Sequence, residues 1–454
     1  MSKILKNSSQ SNIKPEQVVD ILREHLLVDG FDIIFDLKKS NGSYIFDARR
    51  KKYFLDFFTF FGSSPIGFNH PKMATPEFME KLAYVSLAKP SNSDSYTVEM
   101  AEFIDVFSQI AIPDYLPHVF LIEGGALAVE NALKAAFDYR MNKNLKAGTY
   151  RSNDDENRMK VIHFRRAFHG RSGYTLSLTN TDPIKTNYFP KFDWPRVHNP
   201  AMKFPLNEEN IRFVKQEEEI AVNQIKQAIV EYGKNIAALI IEPIQAEGGD
   251  NHFRQEFFFR LREICSENDI IMIMDEVQTG IGLTGKMWAH QHFVEPDAIS
   301  FGKKTQVCGF LGGKKFDEVK ENVFNISGRL NSTFGGNLTD MVRFTKFLQI
   351  IDEEKLVENA ATVGKYLLSK LRELEEEFPH LIFNTRGCGL FCAFDMLTHE
   401  RRMELRQRAF EKNLILIGCG ERSIRFRPPL NLSKSEVDEG INIIRKSFGE
   451  MSED

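Results

Sequence analysis

Residues 270–285 read IIMIMDEVQTGIGLTG: five apolar residues, a carboxylate at Asp275, then a run of glycine and polar side chains. A short, continuously apolar run that ends in turn residues is the pattern of a strand buried on both faces, as in a parallel sheet covered by helices. An acid at the end of such a strand must find donors or a cation, because an unpaired buried carboxylate is costly. The segment therefore predicts an α/β fold. It also marks where chemistry is to be sought, since ligands of open parallel sheets collect at the carboxyl ends of the strands.

Three further apolar runs, Val119–Ile122, Val161–Phe164 and Ala237–Ile241, also end at polar or glycine-bearing turns and are expected as buried parallel strands. Between them, Val129, Leu133, Ala136 and Phe137, and then Phe257, Phe258, Leu261, Ile264 and Cys265, recur at helical spacing. Leu356, Ala360, Val363, Leu367, Leu371 and Leu374 predict a long helix near the C-terminus, and Ser433 with Glu436 forms a capping box before another. The polar stretch from Asn142 to Lys160 reads as a surface excursion.

With 454 residues, 42% of them hydrophobic, the chain has material for more than one domain and an ample core. The 59 basic and 63 acidic residues leave a net charge of −4, which gives no general attraction to nucleic acid or anionic lipid. The five scattered cysteines lack CxxC spacing and read as reduced thiols. With no apolar h-region and no run long enough to span a bilayer, a cytoplasmic protein acting on small molecules is expected.

The residues after each strand are strongly polar. EGGALAVENALKAAF (123–137) places Gly124 and Gly125 where a helix begins, whose free amides suit a phosphate; the absence of GK[ST] excludes a P-loop. Asp275 either caps the next helix, pairs with a structural arginine, or faces the protonated ring nitrogen of a cofactor. Lys303 and Lys304 follow a strand and a glycine, and one of them suits Schiff-base chemistry. Neighbouring side chains on extended backbone point opposite ways, so at most one reaches a cofactor. In RRAFHGRSG, Phe168 can stack on a ring and Arg171 can clamp a carboxylate. Glu242, Glu247 and Arg425 read on their own as ion-pair residues. His163 and His169 show no metal-ligand spacing, so no metal is expected.

The order of the glycine turn, FHG, EPIQAEGG, DEVQTGIGLTG, a lysine after PD, and RFRPPL resembles the class III pyridoxal-phosphate aminotransferases over about residues 31–430. The resemblance implies the type I fold of pyridoxal-phosphate transferases, with a mostly parallel sheet in its large domain; ordinary domain sizes place that domain at 60–336, with the segments 1–59 and 337–454 forming a smaller α+β domain. It implies pyridoxal 5′-phosphate as cofactor, with Lys303 as the Schiff-base lysine and Asp275 on the pyridine nitrogen. Phe168 would lie on the ring face and Gln278 near the phenolic oxygen, with Gly125 and Ala126 at the phosphate. The family commonly has Ser-Gly-Thr where this chain has Gly124, Gly125 and Ala126, so hydroxyl contacts give way to backbone amides.

Thr333 matches a residue that reaches the phosphate of the partner subunit, implying a homodimer with shared sites, and Asn331 and Ser332 belong to the same edge. The segments AFHGRSGYTLSLTNT, FPKFDWPR, GKKTQVCG and RLNSTFGGNLTDM are similar to the branch of the family that moves the ε-amino group of L-lysine to 2-oxoglutarate, giving L-glutamate and 2-aminoadipate 6-semialdehyde. There Arg171 would hold the far carboxylate, Arg425 the α-carboxylate of 2-oxoglutarate or glutamate, and Glu247 would cover Arg425 while lysine is bound. Other ω-aminotransferases, acting on ornithine or 4-aminobutyrate, and same-fold isomerases or aminomutases are the alternatives.

Overall fold

The computed structural model describes residues 13–151 and 153–453; the first twelve residues of the expected N-terminal segment lie outside them. Strands β1 (Tyr44–Asp47) and β2 (Lys52–Asp56) form a hairpin near the N-terminus. The central sheet follows, made of β3 (His118–Ile122), β4 (Lys160–Phe164), β5 (Arg196–Val197), β6 (Ile236–Ile241), β7 (Ile271–Asp275), β8 (Ala298–Phe301) and β9 (Cys308–Gly312). Its spatial order is β3-β9-β8-β7-β6-β4-β5.

Strands β5, β4, β6, β7 and β8 pair in parallel, whereas β9 is antiparallel to both β8 and β3. The expectation of parallel pairing thus fails for Val119–Ile122. Only a short turn at Lys303–Thr305 separates β8 from β9. That is too little chain for the crossover a parallel neighbour needs, so β9 turns straight back and intervenes between β8 and β3.

The apolar runs are unbroken because helices cover both faces of the sheet. Ile271 and Ile273 of β7, with Ala238 and Ile240 of β6, meet Val129, Leu133 and Ala136 of the helix Gly125–Lys146. Met272, Met274, Leu239 and Ile241 point the other way, into a core shared with Phe257, Phe258, Leu261, Ile264 and Cys265 of the helix Gln255–Glu267. The polar stretch that begins at Asn142 is an excursion only in part. Helix Gly125–Lys146 runs into it, and buried Asn144 donates to the Lys234 carbonyl at 2.8 Å.

The C-terminal part contributes β10 (Ile382–Cys388), β11 (Phe391–Met396), β12 (Leu414–Ile415), β13 (Ile417–Cys419) and β14 (Ser423–Phe426). Four of these form an antiparallel sheet in the order β10-β11-β14-β13, while β12 joins β2 in parallel and ties residues 414–415 to the N-terminal hairpin. The long helix Leu356–Glu377 buries all six leucine, alanine and valine positions that its spacing marks. The Ser433 box closes with Glu436 Oε2 accepting from the Ser433 amide at 2.7 Å and Ser433 Oγ accepting from the Glu436 amide at 3.3 Å.

The segment that follows Asp275 is clamped to this C-terminal part by a close approach of main chains. A Cβ on Gly364, in the middle of Leu356–Glu377, would lie 2.0 Å from the carbonyl carbon of Gly389, and Gly389 in turn abuts Thr284 and Gly285. Helix propensity alone would favour alanine over glycine at position 364 by about 1 kcal/mol. The backbone clash opposes it, and forced overpacking costs about 1–3 kcal/mol. Gly364→Ala is therefore expected to lower the urea midpoint of unfolding; a raised midpoint would show that the helix can shift away from Gly389.

Candidate active site

The carboxyl ends of the parallel strands open onto a cavity of about 350 Å³. Its wall brings together Gly125, Ala126, Phe168, Arg171, Glu247, Asp275, Gln278 and Lys303, which are widely separated in the chain. Asp275 ends β7 and is almost fully buried. Its Oδ2 accepts from His169 Nδ1 at 2.8 Å, and its Oδ1 accepts from Ser300 Oγ at 2.9 Å and the Val277 amide at 3.1 Å. Because the carboxylate can only accept, Nδ1 of His169 carries the proton. His169 is held in turn by its loop: the Thr179 hydroxyl accepts from the His169 and Gly170 amides and donates to the Gly170 carbonyl.

Lys303 stands across the cavity, just after β8, with a positive φ of 53°. Burial lowers the pKa of its amine, and the nearby Asp275 charge works the other way. Lys304 turns aside and donates from Nζ to the Gln278 carbonyl at 2.7 Å; burial and then the Arg427 charge press its pKa well down. Of the two adjacent lysines, only Lys303 lines the cavity.

Gly125 and Ala126 begin a 22-residue helix whose N-terminus has no side-chain cap. A Cβ at Gly125 would come within 2.9 Å of Val277 Cγ1, so glycine lets the turn sit against the strand end. Arg171 lines the wall with its guanidinium carbon 6.0 Å from the Phe168 ring centroid, and among the described residues it forms no ion pair. Arg425, on β14, does not line the cavity. It lies 1% exposed behind Glu247 and Gln278, donating to Glu247 Oε2 at 2.7 Å and Gln278 Oε1 at 3.2 Å, and its Nε finds no partner among the described residues. The Glu247 carboxyl is held below its usual range by the Arg425 and Lys185 charges, which outweigh burial.

Asn331, Ser332 and Thr333 lie on a loop that contributes nothing to the cavity wall of this chain. Asn331 Oδ1 accepts from the Ser332 amide, and Ser332 Oγ from the Gly335 amide.

Sequence reasoning passed over Ser300 and Arg427, considered His169 only as a metal ligand, and read Glu242 as an ion-pair residue, whereas among the described residues it accepts from backbone amides instead. His169 and Ser300, the direct partners of Asp275, were legible only as a histidine beside Phe168 and as the one hydroxyl in the strand AISF. Arg427 holds Gln278 Oε1 from Nε at 3.0 Å while pairing with buried Asp250. Glu242 accepts from the amides of Phe168 at 2.9 Å and Ala246 at 3.0 Å, so it fixes the backbone behind the stacking ring.

A mostly parallel, doubly covered sheet with an acid at one strand end, a lysine opposite and a helix N-terminus between them is the architecture of a pyridoxal-phosphate transferase. The class-III aminotransferase family matches residues 28–448, and the chain belongs to that family. It is similar to the L-lysine-epsilon aminotransferases of Mycobacterium tuberculosis (48% identity, 96% of each chain) and Streptomyces clavuligerus (43%, 98% of this chain and 97% of that one). Among solved structures it resembles the Mycobacterium tuberculosis lysine aminotransferase in its internal aldimine form (TM-score 0.92, 47% identity, 96% of this chain and 99% of that one).

The cofactor is pyridoxal 5′-phosphate, and the residues present fit it. The uncapped helix start offers amides to a phosphate, Phe168 offers a ring face, and Asp275 is an acceptor for a protonated ring nitrogen. Lys303 offers an amine whose pKa burial lowers.

Glu242 generates a pH signature. Its pKa is raised to about 7, chiefly by burial, with the His169 charge opposing and the Asp275 charge reinforcing. The native state therefore binds this proton more tightly than the unfolded chain. The resulting stability is present in full below the unfolded pKa near 4.5 and is lost as pH rises through about 7. In cofactor-free protein, Glu242→Gln is expected to gain on the wild type by about 3 kcal/mol between pH 4.5 and pH 8, beyond any constant offset. Parallel stability profiles for the two proteins would contradict this.

Proposed function

We propose that this enzyme transfers the ε-amino group of L-lysine to 2-oxoglutarate, giving L-glutamate and 2-aminoadipate 6-semialdehyde, which cyclises to 1-piperideine-6-carboxylate. The observation that carries the reading is the contrast between two arginines: Arg171 lines the cavity without an ion pair, whereas Arg425 is covered by Glu247. L-lysine has one carboxylate, six bonds from its reacting nitrogen, and needs one distant cation. A dicarboxylate needs two, and the second becomes available when Glu247 moves aside. The relatives named L-lysine-epsilon aminotransferase, alike over nearly the whole chain, support the same substrate.

Bound pyridoxal phosphate supplies an aldehyde that condenses with amines and a protonated ring that draws electrons from the adjoining carbon. Around it, each residue has a task. Asp275, oriented by His169 and Ser300, would keep the ring nitrogen protonated, Phe168 would offer its face to the ring, and Gly125 and Ala126 would hold the phosphate. Gln278, itself fixed by Arg425 and Arg427, would be the neighbour of the phenolic oxygen. Arg171 holds the α-carboxylate of L-lysine, so that the ε-amino end reaches the reacting centre. Lys303 would be the base that takes the proton from the carbon bearing the amine. In the return half, Arg425 takes the α-carboxylate of 2-oxoglutarate. The same reading includes a cytoplasmic homodimer in which the partner subunit's Thr333 reaches the phosphate with Asn331 and Ser332 beside it, and a division of the chain at residues 59 and 336.

The test is glutamate formation from 2-oxoglutarate with L-lysine, L-ornithine or 4-aminobutyrate as donor. L-lysine is expected to give by far the highest kcat/KM, with 1-piperideine-6-carboxylate as co-product. Faster turnover of ornithine or 4-aminobutyrate would reassign the substrate. Lys303→Ala should lower kcat by at least about a thousandfold, the upper range for loss of a general base. Glu247→Ala should narrow the preference for L-lysine over L-glutamate as amino donor, and identical constants for that variant and the wild type would remove Glu247 from the mechanism.

A further inference from the structure

Glu247 has two cationic partners, and only one of them is Arg425. Its Oε1 is paired with Lys185 Nζ, while Oε2 is paired with Arg425 Nη2. Lys185 comes from a part of the chain with no other role in the site, the short turn Pro183–Lys185. Asp182 caps this turn, its Oδ1 accepting from the Ile184 amide at 3.0 Å. The ammonium is also held independently of Glu247, lying 5.6 Å from the centroid of the Phe168 ring. Its side chain is 16% exposed and that of Glu247 25%, so the pair sits at the edge of the cavity, partly shielded from water.

At rest, therefore, two cations share one anion. L-lysine, held through Arg171, brings no second anion to this end of the site. A dicarboxylate does. When its α-carboxylate takes Arg425, Glu247 loses one partner, and without another it would be left as a poorly solvated, unpaired carboxylate beside an incoming charge of the same sign. With Lys185 in place the charges balance one to one: Arg425 with the substrate, Lys185 with Glu247.

We propose that Lys185 is a positioning residue for the second half-reaction, holding the Glu247 carboxylate once a dicarboxylate has taken Arg425. This rests on the proposed function above. Its consequence is asymmetric. Lys185 favours the state that binds 2-oxoglutarate and glutamate more than the state that binds L-lysine, because in the latter Glu247 keeps Arg425 in either case.

The experiment uses the cofactor-loaded enzyme and two readouts: calorimetric binding of glutarate, a dicarboxylate with no group to react, and the KM values of the two half-reactions. Lys185→Met should weaken glutarate, and raise the KM for 2-oxoglutarate, by at least about tenfold more than it raises the KM for L-lysine, as expected for loss of a charged hydrogen bond. Lys185→Arg, which keeps the cation, should recover most of the loss. In a Glu247→Ala background the Lys185→Met change should no longer distinguish the two substrates. Equal losses on glutarate and L-lysine, no loss on either, or the same glutarate loss in the Glu247→Ala background would each overturn the proposal. Arg425→Gln separates this from failure of the underlying reading: undiminished glutarate binding in that variant would mean that Arg425 is not the dicarboxylate site at all.

Discussion

The site depends on supplying donors to a carboxylate at the end of a strand from which water is excluded. β7 is buried at every position, and Asp275 is its last residue. Three donors, the His169 ring, the Ser300 hydroxyl and the Val277 amide, meet its two oxygens. A buried carboxylate without such donors would be costly, and these three satisfy it. Each donor comes from a different structural decision: the loop after β4, the strand β8, and the turn that begins the next segment. Parallel packing of β7 between β6 and β8 is what brings those three together, so the sheet topology and the acid are one constraint.

A second layer of the site is made of arginines that the fold buries. Arg425 and Arg427 alternate along and just beyond β14, and both donate to Gln278 Oε1. Arg427 is neutralised by Asp250 and lies flat on Phe391, 3.3 Å from its centroid, which fixes it as scaffold. Arg425 is paired with Glu247 and has a spare Nε. Two neighbouring guanidinium groups thus differ in whether the opposing carboxylate is fully buried or a quarter exposed, the difference on which the proposed exchange at Arg425 rests. Asp250 has nowhere to go, whereas Glu247 has Lys185.

Much of this was legible in the sequence, and the limits are physical. The run 270–275 announced both the buried strand and the acid because all five of its apolar positions must be covered. The helices at 255–267 and 356–377 were legible because one face of each carries nearly all the apolar residues. Strand β9 was not. Its sequence CGFLG has two glycines and no β-branched residue, and its direction follows from the shortness of the preceding turn rather than from its own pattern. In the site, Gly125, Phe168, Asp275, Gln278 and Lys303 could be read because each lies at or within a few residues of the end of a sheet strand. Lys185 could not, since nothing local in TDPIKTN distinguishes a lysine aimed at Glu247 from one in solvent. The residues alone left Lys303 and Lys304 open and the resemblance chose Lys303, the one of the two that lines the cavity.

The central claim is that the architecture presents the far amine of L-lysine, and not its α-amine, to the reacting centre. The direct measurement is to supply the enzyme with unlabelled 2-oxoglutarate and with L-lysine carrying ¹⁵N at either the ε or the α position, and to record the isotope content of the glutamate formed by mass spectrometry. The account predicts that ε-labelled lysine gives fully labelled glutamate and α-labelled lysine gives none. Label arriving from the α position would contradict it, because Arg171 would then not be gripping the carboxylate at the far end of the substrate.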